Sequence, residues 1–426
     1  MKNSLPILTA LCLGALLAPI HAAEPIVGVP HLVITDFNQS AETWWQAHPF
    51  NPDSPNYNPV IKSPDPQVKI GDYGNDIQKA IDALGKGGTI HFPAGTYPGR
   101  FRIVGKGNLH FIADEPGKVI FTGSGGIYGN ETAQHYRDFV PSVRVQQNKA
   151  DVEAYLNPPA RNIYFQGITW DGGNRARSAF DCSAVCDVVW ENCTFQNYNA
   201  YDDSFHGGLL NGNSGLTNIW LIKCHMVGRT PFVVYWDGIF GGGLIGCTIE
   251  NGFKRGGPLY LCNDDFTYDA NHNGKLEMSE RHTAQYAVVY GCTIKSESSS
   301  PAGNITGRNC LIAKNKVTVP LRRSLVYFNP KTSLIYKDLA HEYTGNAIIG
   351  NSVPEVGRSL VVMDCEGDAV QKGWNNKAIL GKYIVKGNQT GPCPKLVQER
   401  GTITGPNVVC GNCVNDPACK PDVNCK

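Results

Sequence analysis

The stretch DVVWENCTF at residues 187–195 decides the fold, because the same phrase returns along the chain. It consists of alternating apolar residues, one small or polar residue and a second short apolar run. Related phrases are NIYFQGITW (162–170), NIWLIKCHM (218–226), GLIGCTI (243–249), AVVYGCTI (287–294), CLIAKNKV (310–317), AIIGNSV (347–353) and YIVKGNQT (383–390). Such repeats are typical of solenoids, in which one turn holds a few short strands and a longer spacing marks an inserted loop.

At one position of the phrase, residues of similar chemistry recur in successive repeats, as stacking of turns requires. The residues at this position are Gly167, Cys193, Cys224, Cys247, Cys292, Asn315, Asn351 and Asn388. We predict that the cysteines form a buried stack of free thiols, since free Cys behaves as a small apolar residue. The asparagines are predicted to form a ladder in which side-chain amides satisfy backbone groups of the next turn. The alternative is a β-sandwich, which would leave eight matched phrases to coincidence.

The segment DIQKAIDALGKGGTIHFPAGTY (76–97) resembles the opening of a known fold, the right-handed parallel β-helix of the pectate lyase-like superfamily. It predicts a capping helix with Ile77, Ala80, Ile81 and Leu84 on its apolar face, followed by a first strand. The resemblance spans residues 70–390 and implies an all-β solenoid. It does not imply one activity, because this superfamily includes lyases, hydrolases, epimerases and adhesins.

The chain divides into four predicted parts. Residues 1–23 read as a secretory signal peptide, with Lys2, the apolar run LPILTALCLGALLAPI and the small residues HAA. Residues 24–69 form an extension expected to wrap the outside of the β-helix at 70–391, and residues 392–426 form a Cys-rich tail. The protein is therefore expected to be secreted, extracellular or periplasmic, with no later run that would span a membrane.

Charge and cysteine content limit the classes of partner and of cysteine site that the sequence allows. The whole chain has 38 basic and 37 acidic residues, and loss of Lys2 leaves none in excess, which argues against nucleic acid. We expect a monomer.

The tail cysteines are Cys393, Cys410, Cys413, Cys419 and Cys425. Zinc binding is one interpretation of the Cys-x-x-Cys at 410, whereas disulfides suit a secreted protein better. A local Cys182–Cys186 bridge is a further possibility.

The segment DANHNGKLEMSE at 269–280 matches the twelve-residue calcium loop of EF-hands. The predicted Ca²⁺ ligands are Asp269, Asn271, Asn273, the backbone carbonyl of Lys275 and a bidentate Glu280. The loop belongs to an insertion at 264–286, between two strands of one turn. No amphipathic helix precedes it and no second loop pairs with it, so we expect a structural clip rather than a sensor.

One sheet of the solenoid is expected to carry the binding groove. It should include FVVYWD (232–237), LYLCND (259–264), GNITGR (303–308) and LVYFNP (325–330). The turns that lead into these strands carry basic residues, namely Arg175, Arg177, Arg229, Lys254, Arg255, Arg322, Arg323 and Arg358. Stacked turns would align these cations along a polyanionic chain, and Arg is suited to uronate carboxylates. The alternative is a set of solvated turn residues.

The predicted activity is β-elimination on an acidic, uronate-containing polysaccharide. Lys254 is the first candidate for the base, with Arg255 or Arg229 neutralising the carboxylate and Asp237 or Asp203 orienting the sugar. Trp236 would be either an aromatic platform or a core residue. A non-catalytic carbohydrate-binding or surface protein is the first alternative. A glycoside hydrolase, using the clustered acids of YDDSFHGG (201–208), is the second.

Overall fold

The protein is a parallel β-helix built from three long sheets. The structure is a computed structural model that describes residues 28–30, 34, 39–129, 159–199, 208–212, 215–253, 256–262, 284–329, 341–364, 378–416 and 418–425. All strand pairs in these sheets are parallel, and consecutive strands of the chain pass from sheet 2 to sheet 1, then to sheet 3, before the next turn begins. The predicted fold class, an all-β right-handed parallel β-helix, is confirmed.

The strands of each sheet follow in chain order. Sheet 1 contains Gln67–Lys69, Gly88–Phe92, Leu109–Ala113, Arg161–Gln166, Val185–Glu191, Leu216–Ile222, Ile239–Ile245, Gln285–Tyr290, Leu311–Ala313, Ala347–Ile349, Ile384–Lys386 and Val408–Cys410. Sheet 2 contains Phe101–Val104, Gly125–Tyr128, Phe180–Ser183, Gly208–Gly212, Phe232–Asp237, Leu259–Cys262, Gly303–Thr306, Val326–Phe328, Ser359–Asp364 and Lys395–Arg400. Sheet 3 contains Gly95–Pro98, Val119–Thr122, Ile168–Asp171, Thr194–Asn199, His225–Arg229, Thr248–Asn251, Thr293–Ser296, Lys316–Val317, Ser352–Val353, Gln389–Thr390 and Cys413–Val414. A fourth, small sheet contains His341–Thr344, Ala378–Gly381 and Ile403–Thr404.

The repeated phrase forms the tight turn from sheet 1 to sheet 3. One residue with positive φ makes the bend, such as Asn192 at 51° or Gly246 at 61°, and the Cys or Asn follows it directly. Gly167 departs from the predicted alignment because its φ of 71° makes it the bending residue itself. Thr169 pairs with Thr194, so Ile168 rather than Gly167 lies beneath Cys193.

The thiol stack and the amide ladder are both present. Cys193, Cys224, Cys247 and Cys292 are free, and each is 1% exposed. In the ladder, the Nδ2 of Asn315 donates to Asn351 Oδ1 at 2.9 Å, and the Nδ2 of Asn351 donates to Asn388 Oδ1 at 2.9 Å. The ladder continues for one turn beyond the prediction, because Asn388 Nδ2 donates to Asn412 Oδ1 at 2.9 Å. Buried backbone groups are thereby paired in every turn of this part of the chain.

The interior is apolar along the whole solenoid and closed by a helix at its first turn. This capping helix spans Ile77–Ala83 and begins at Asp76, whose side chain accepts from the Lys79 N–H at 3.0 Å. Ile77, Ala80, Ile81 and Leu84 are buried, as predicted. Inside, aromatic rings of successive turns stack, for example Phe111 on Phe165 with centroids 4.6 Å apart.

The N-terminal extension packs on the outer face of sheet 1. It contains helix α1, Ala41–Ala47, which carries Trp44 and Trp45 onto Trp220 and which was not predicted from the sequence. His48 is 2% exposed in this cluster, and its Nδ1 accepts from the Phe50 N–H at 3.1 Å. The described residues of the extension that carry this cluster therefore lie against the outside of the solenoid. No helix in the described part of the chain is long and apolar enough to cross a membrane.

The tail cysteines form disulfides, but the predicted local bridge does not exist. Cys410 is bonded to Cys425, and Cys413 is bonded to Cys419, whereas Cys393 is free. Neither Cys182 nor Cys186 forms a disulfide and both are buried, so the suggested bridge is wrong. They lie on strands of different sheets, Phe180–Ser183 and Val185–Glu191, and only Cys182 belongs to the interior cluster.

Candidate functional site

Sheet 2 carries the predicted groove strands and presents one row of outward side chains. The strands Phe232–Asp237, Leu259–Cys262, Gly303–Thr306 and Val326–Phe328 are consecutive neighbours in this sheet, as predicted. Strand register aligns the row Asp181, Asn211, Tyr235, Tyr260, Asn304, Tyr327, Val362 and Gln398. These side chains face outward because residues alternate across a strand and the flanking ones, such as Val326 and Phe328, are in the core.

A polar cleft lies on this face, towards the C-terminal end of the solenoid. Its volume is about 440 Å³. It is lined by Phe232, Gly256, Gly257, Ser300, Pro301, Asn304, Arg323, Ser324, Tyr327, Asn329, Arg358, Val362, Asp364, Gln398 and Arg400. Three arginines and one aspartate give these lining residues a net charge of +2. Such a cleft suits an anionic ligand.

Two of the arginines come from the turns that lead into sheet 2, as the sequence predicted. Arg358 follows Arg323 one turn later, and its backbone N–H donates to the Arg323 carbonyl at 3.1 Å. This backbone contact aligns the two side chains along the edge of the cleft. Both residues are exposed, and among the described residues no carboxylate forms an ion pair with either. Within the described part of the chain, the positive charge of their guanidinium groups is therefore not neutralised.

The third arginine belongs to a hydrogen-bonded group on the cleft floor, in which only the carboxylate is buried. The Tyr327 hydroxyl donates to Asp364 Oδ2 at 2.6 Å, and Arg400 Nη1 donates to the same oxygen at 3.2 Å. The Asp364 side chain is 1% exposed, whereas that of Arg400 is 39% exposed. Strand pairing of Asp364 with Arg400 and of Tyr327 with Val362 sets this geometry. A buried carboxylate paired in this way fixes the tyrosine hydroxyl.

Close approach of successive turns shapes one end of the cleft. Gly256 has a φ of 76°, and a Cβ there would lie 2.0 Å from the Pro231 carbonyl oxygen. A Cβ at Gly257 would lie 2.1 Å from the carbonyl oxygen of Pro301. Both positions therefore require glycine. The pair follows directly on Lys254 and Arg255, which are outside the described residues.

An aromatic cluster borders the same end of the cleft. The Tyr235 and Tyr260 rings stack with centroids 4.4 Å apart at 2°, and Phe232 lies 5.0 Å from Tyr260. Because the two tyrosine rings cover each other's faces, those faces cannot stack on a sugar. Trp236, considered from the sequence as a sugar platform, is 1% exposed and lies in the core.

The described candidates Arg229 and Asp237 are at opposite ends of one strand. Arg229 ends a strand of sheet 3 just before Phe232–Asp237, and Asp237 ends that strand, so the length of the strand, roughly 17 Å, separates them. Neither lines the cleft. Asp237 lies four strands from the strand of Asp364, roughly 19 Å away. The structure does not bring these two residues together.

Other predicted residues lie outside the described residues. These are Lys254, Arg255, Asp203 and the calcium-loop residues Asp269, Asn271, Asn273, Lys275 and Glu280. Their roles stay predictions. The strands on either side of the insertion, Leu259–Cys262 and Gln285–Tyr290, are consecutive in the chain and belong to sheets 2 and 1, as the interpretation of an insertion within one turn requires. Among the described residues, no cluster of three metal-ligating side chains occurs.

Sequence reasoning missed Tyr327, Asp364 and Arg400. Tyr327 stood within a predicted groove strand, LVYFNP, and alternation with the apolar Val326 and Phe328 would have pointed it outward. Asp364 and Arg400 are on strands that were not included in the predicted groove. The signal available for Asp364 was a carboxylate that directly follows the apolar run SLVVM.

Comparison with known proteins adds little to these observations. No protein-family model matches the sequence, and no curated protein matches it. Among solved structures, the A-module of mannuronan C-5 epimerase AlgE4 from Azotobacter vinelandii has a TM-score of 0.38 and 12% identity, over 82% of this chain and 97% of that one. PfbA, a surface adhesin of Streptococcus pneumoniae, has a TM-score of 0.44 and 14% identity, over 82% and 91%. An alginate lyase from Paenibacillus sp. str. FPU-7 has a TM-score of 0.37 and 8% identity, over 80% and 99%. These similarities are too low to support a functional argument, and the fold assignment rests on the strand pairing itself.

Proposed function

We propose that the protein binds an acidic, uronate-containing polysaccharide along sheet 2 and cleaves it by β-elimination. The observation that carries this proposal is the cleft in which Arg323, Arg358 and Arg400 outnumber the single carboxylate of Asp364. A chain with a formal net charge of only +1 that gathers three guanidinium groups in one cleft has a local preference for anions. Planar guanidinium groups match carboxylates through two parallel hydrogen bonds.

The groove also has the length that a polymer requires. Its outward row runs through eight strands of sheet 2, from Asp181 to Gln398, which is roughly 34 Å at the spacing of neighbouring strands. Amide and hydroxyl groups recur along it, with one carboxylate at Asp181, and these are the partners of sugar hydroxyls. A small isolated anion would need only the cleft, whereas an extended row suits a chain that lies along the solenoid.

Elimination is favoured over hydrolysis by the side chains that line the cleft. β-Elimination needs a cationic group beside the substrate carboxylate, because removal of the neighbouring proton increases the negative charge there. Acid–base hydrolysis needs two carboxyl groups on either side of the scissile bond. The described residues lining the cleft supply three arginines but only one carboxylate, Asp364.

The first test is ultraviolet absorbance during incubation with a panel of uronate polymers, with Ca²⁺ and with chelator. Elimination leaves an unsaturated sugar that absorbs, whereas hydrolysis and simple binding do not. A rising signal on one polymer would support the lyase and name the substrate. A flat signal on every polymer, with polymer binding retained, would favour the alternative of a non-catalytic carbohydrate-binding protein.

Arg358→Gln tests the carboxylate-binding role of the cleft. Loss of a charge-assisted hydrogen bond, worth about 1.5–3 kcal/mol, predicts a 10- to 100-fold weaker Kd for the acidic polymer. Lys295→Gln is the matched control, because it removes one positive charge from sheet 3, where Lys295 pairs with Glu250 at 3.4 Å. Equal effects of the two variants in titration calorimetry would indicate only a general charge effect and would count against the cleft.

Calcium is part of the proposal as a structural ion. Its support is the sequence pattern of residues 269–280, in which five ligands have the spacing of a calcium loop. The insertion follows directly on a groove strand, Leu259–Cys262, so an ordered insertion would border the substrate sheet. We assign Ca²⁺ no step in the reaction.

A further inference from the structure

Two arginines of the cleft form one stacked pair. Arg323 and Arg358 each lie three residues before an in-register pair of strand residues, Val326 and Val361. The backbone N–H of Arg358 donates to the Arg323 carbonyl at 3.1 Å, so the two arginines occupy the same position of successive coils. Their backbones are therefore separated by the spacing of neighbouring strands, roughly 4.8 Å. Both residues are exposed and both line the cleft.

Close approach of the two turns holds this spacing. A Cβ at Gly357 would lie 2.3 Å from the carbonyl oxygen of Arg322, so this position requires glycine. The N–H of Gly357 also donates to the Leu321 carbonyl at 2.8 Å, which adds a second backbone contact directly before Arg358. The two arginine side chains therefore start from fixed points of adjacent turns.

The pair is isolated, because the coils on either side carry no charge at this position. Strand register gives Ser300 as the equivalent residue of the preceding coil and Pro394 as that of the following coil. A cation in every coil would suit a row of carboxylates, whereas two cations between neutral residues form a single positive site. Like charges at this spacing repel each other, and among the described residues no carboxylate forms an ion pair with either arginine. An anion bound between the two guanidinium groups would relieve this repulsion.

We propose that Arg323 and Arg358 together hold one carboxylate of the polysaccharide, and that this clamp requires a free uronate rather than its ester. The inference rests on the proposed binding of an acidic polysaccharide and names the group that the cleft recognises. A carboxylate has two oxygens that accept several hydrogen bonds, enough for two guanidinium groups. A methyl-esterified uronate is uncharged and would leave both arginines without a counter-ion. The preferred substrate therefore has an unesterified uronate in the segment that lies in the cleft.

Oligosaccharides of the polymer that the wild-type protein binds test the clamp, with all, one or none of their carboxyl groups left free. We expect Arg323→Gln and Arg358→Gln each to weaken the Kd of the one-acid oligosaccharide roughly 10- to 100-fold in titration calorimetry, the effect of losing a charge-assisted hydrogen bond. For the fully esterified oligosaccharide, the Kd should change by no more than about twofold, the usual scatter for independent sites.

Lys316→Gln is the matched control. Lys316 is exposed, belongs to the coil that carries Arg323 and lies on sheet 3 instead of sheet 2. Like the two arginines, it forms no ion pair with any described residue. This variant should bind every oligosaccharide as the wild type does, and melting curves show whether each variant is folded. A loss of affinity equal to that of the arginine variants would overturn the clamp in favour of a general charge effect.

The one-acid oligosaccharide separates a shared carboxylate from two independent ones. Retained affinity of either arginine variant for it would overturn the inference, because each arginine would then hold a carboxylate of its own. Equal wild-type affinity for the one-acid and fully esterified oligosaccharides would also overturn the clamp, while binding of the acidic polymer would stand.

The same measurements keep the clamp distinct from the proposed function. A wild-type protein that binds no uronate polymer would overturn the proposed function and the clamp together. The expected pattern of Kd values without any ultraviolet signal of elimination would support the clamp and overturn only the lyase.

Discussion

Substitution of Asn351 by alanine tests whether the amide ladder stabilises the second half of the solenoid. Asn351 is 1% exposed, and its Nδ2 donates to the Ile312 carbonyl at 2.9 Å. Its Oδ1 accepts from the backbone N–H of Asn315 at 3.0 Å. The alanine variant leaves these two buried backbone groups without partners. At about 1–3 kcal/mol for each group, the free energy of unfolding should fall by about 2–6 kcal/mol.

The chain contains a matched control for this prediction. Cys247 occupies the equivalent position of an earlier turn, is also 1% exposed and donates from its thiol to the Leu221 carbonyl at 3.3 Å. A thiol is a weak donor, so Cys247→Ala mainly removes one small apolar group, which costs about 1 kcal/mol. Asn351→Ala should therefore be at least twice as destabilising.

Equilibrium urea unfolding of the two variants measures the difference. Hydrogen exchange shows where it acts, and the predicted loss of protection is at Asn315 and in the strand Leu311–Ala313. Equal destabilisation by the two substitutions would refute the reasoning, because it would mean that filling the position matters and pairing the backbone does not. Unchanged exchange at Asn315 would refute it as well.

Two further predictions concern pH and calcium. Burial lowers the pKa of His48 from 6.5 to about 3, so the folded protein keeps it neutral while the unfolded chain takes up a proton as pH falls below about 6.5. Between pH 6.5 and 5, the free energy of unfolding of His48→Asn in urea should therefore fall by roughly 2 kcal/mol less than that of the wild type. Equal decreases would contradict the assignment. Glu280→Gln should lower the melting temperature in Ca²⁺ more than it weakens polymer binding, and unchanged melting with lost binding would show that calcium acts on substrate.

The fold could be predicted from the sequence because a solenoid places the same position of each coil in the same environment. A position that faces the interior of the tight turn in one coil faces it in every coil, so Cys193 and Asn388 report the same geometry with different chemistry. Trp44 and Trp45 were recognisable as an outer wrapping for the opposite reason, since they fall outside the repeat. Helix α1, which carries them, could not be predicted, because its seven residues are too few to show helical periodicity.

Only about half of the cleft could be predicted from the sequence. Arg323 and Arg358 could be aligned in advance because each precedes a recognisable strand by the same short turn. Asp364, which joins Tyr327 to Arg400, could not be identified, because burial of a carboxylate depends on what covers the strand and not on its sequence. The apolar run before Asp364 predicts a strand, and only strand register places the acid beside a tyrosine one turn earlier.

The described residues of the three faces of the solenoid differ in a way that favours sheet 2 as the site of the acidic polymer that we propose. The outward row of sheet 1 is apolar, with Val189, Trp220, Val288 and Leu311 in register, and the extension carrying Trp45 packs on it. Sheet 3 presents charges that neutralise each other, as in the exposed pair of Lys295 and Glu250 at 3.4 Å. Sheet 2 alone among them combines a recessed polar row with arginines that pair with no described carboxylate at its edge. A polymer that binds there would gain charge complementarity and, within the described part of the chain, would displace no wrapping segment and break no ion pair of Arg323 or Arg358, which is why we propose this face for the substrate.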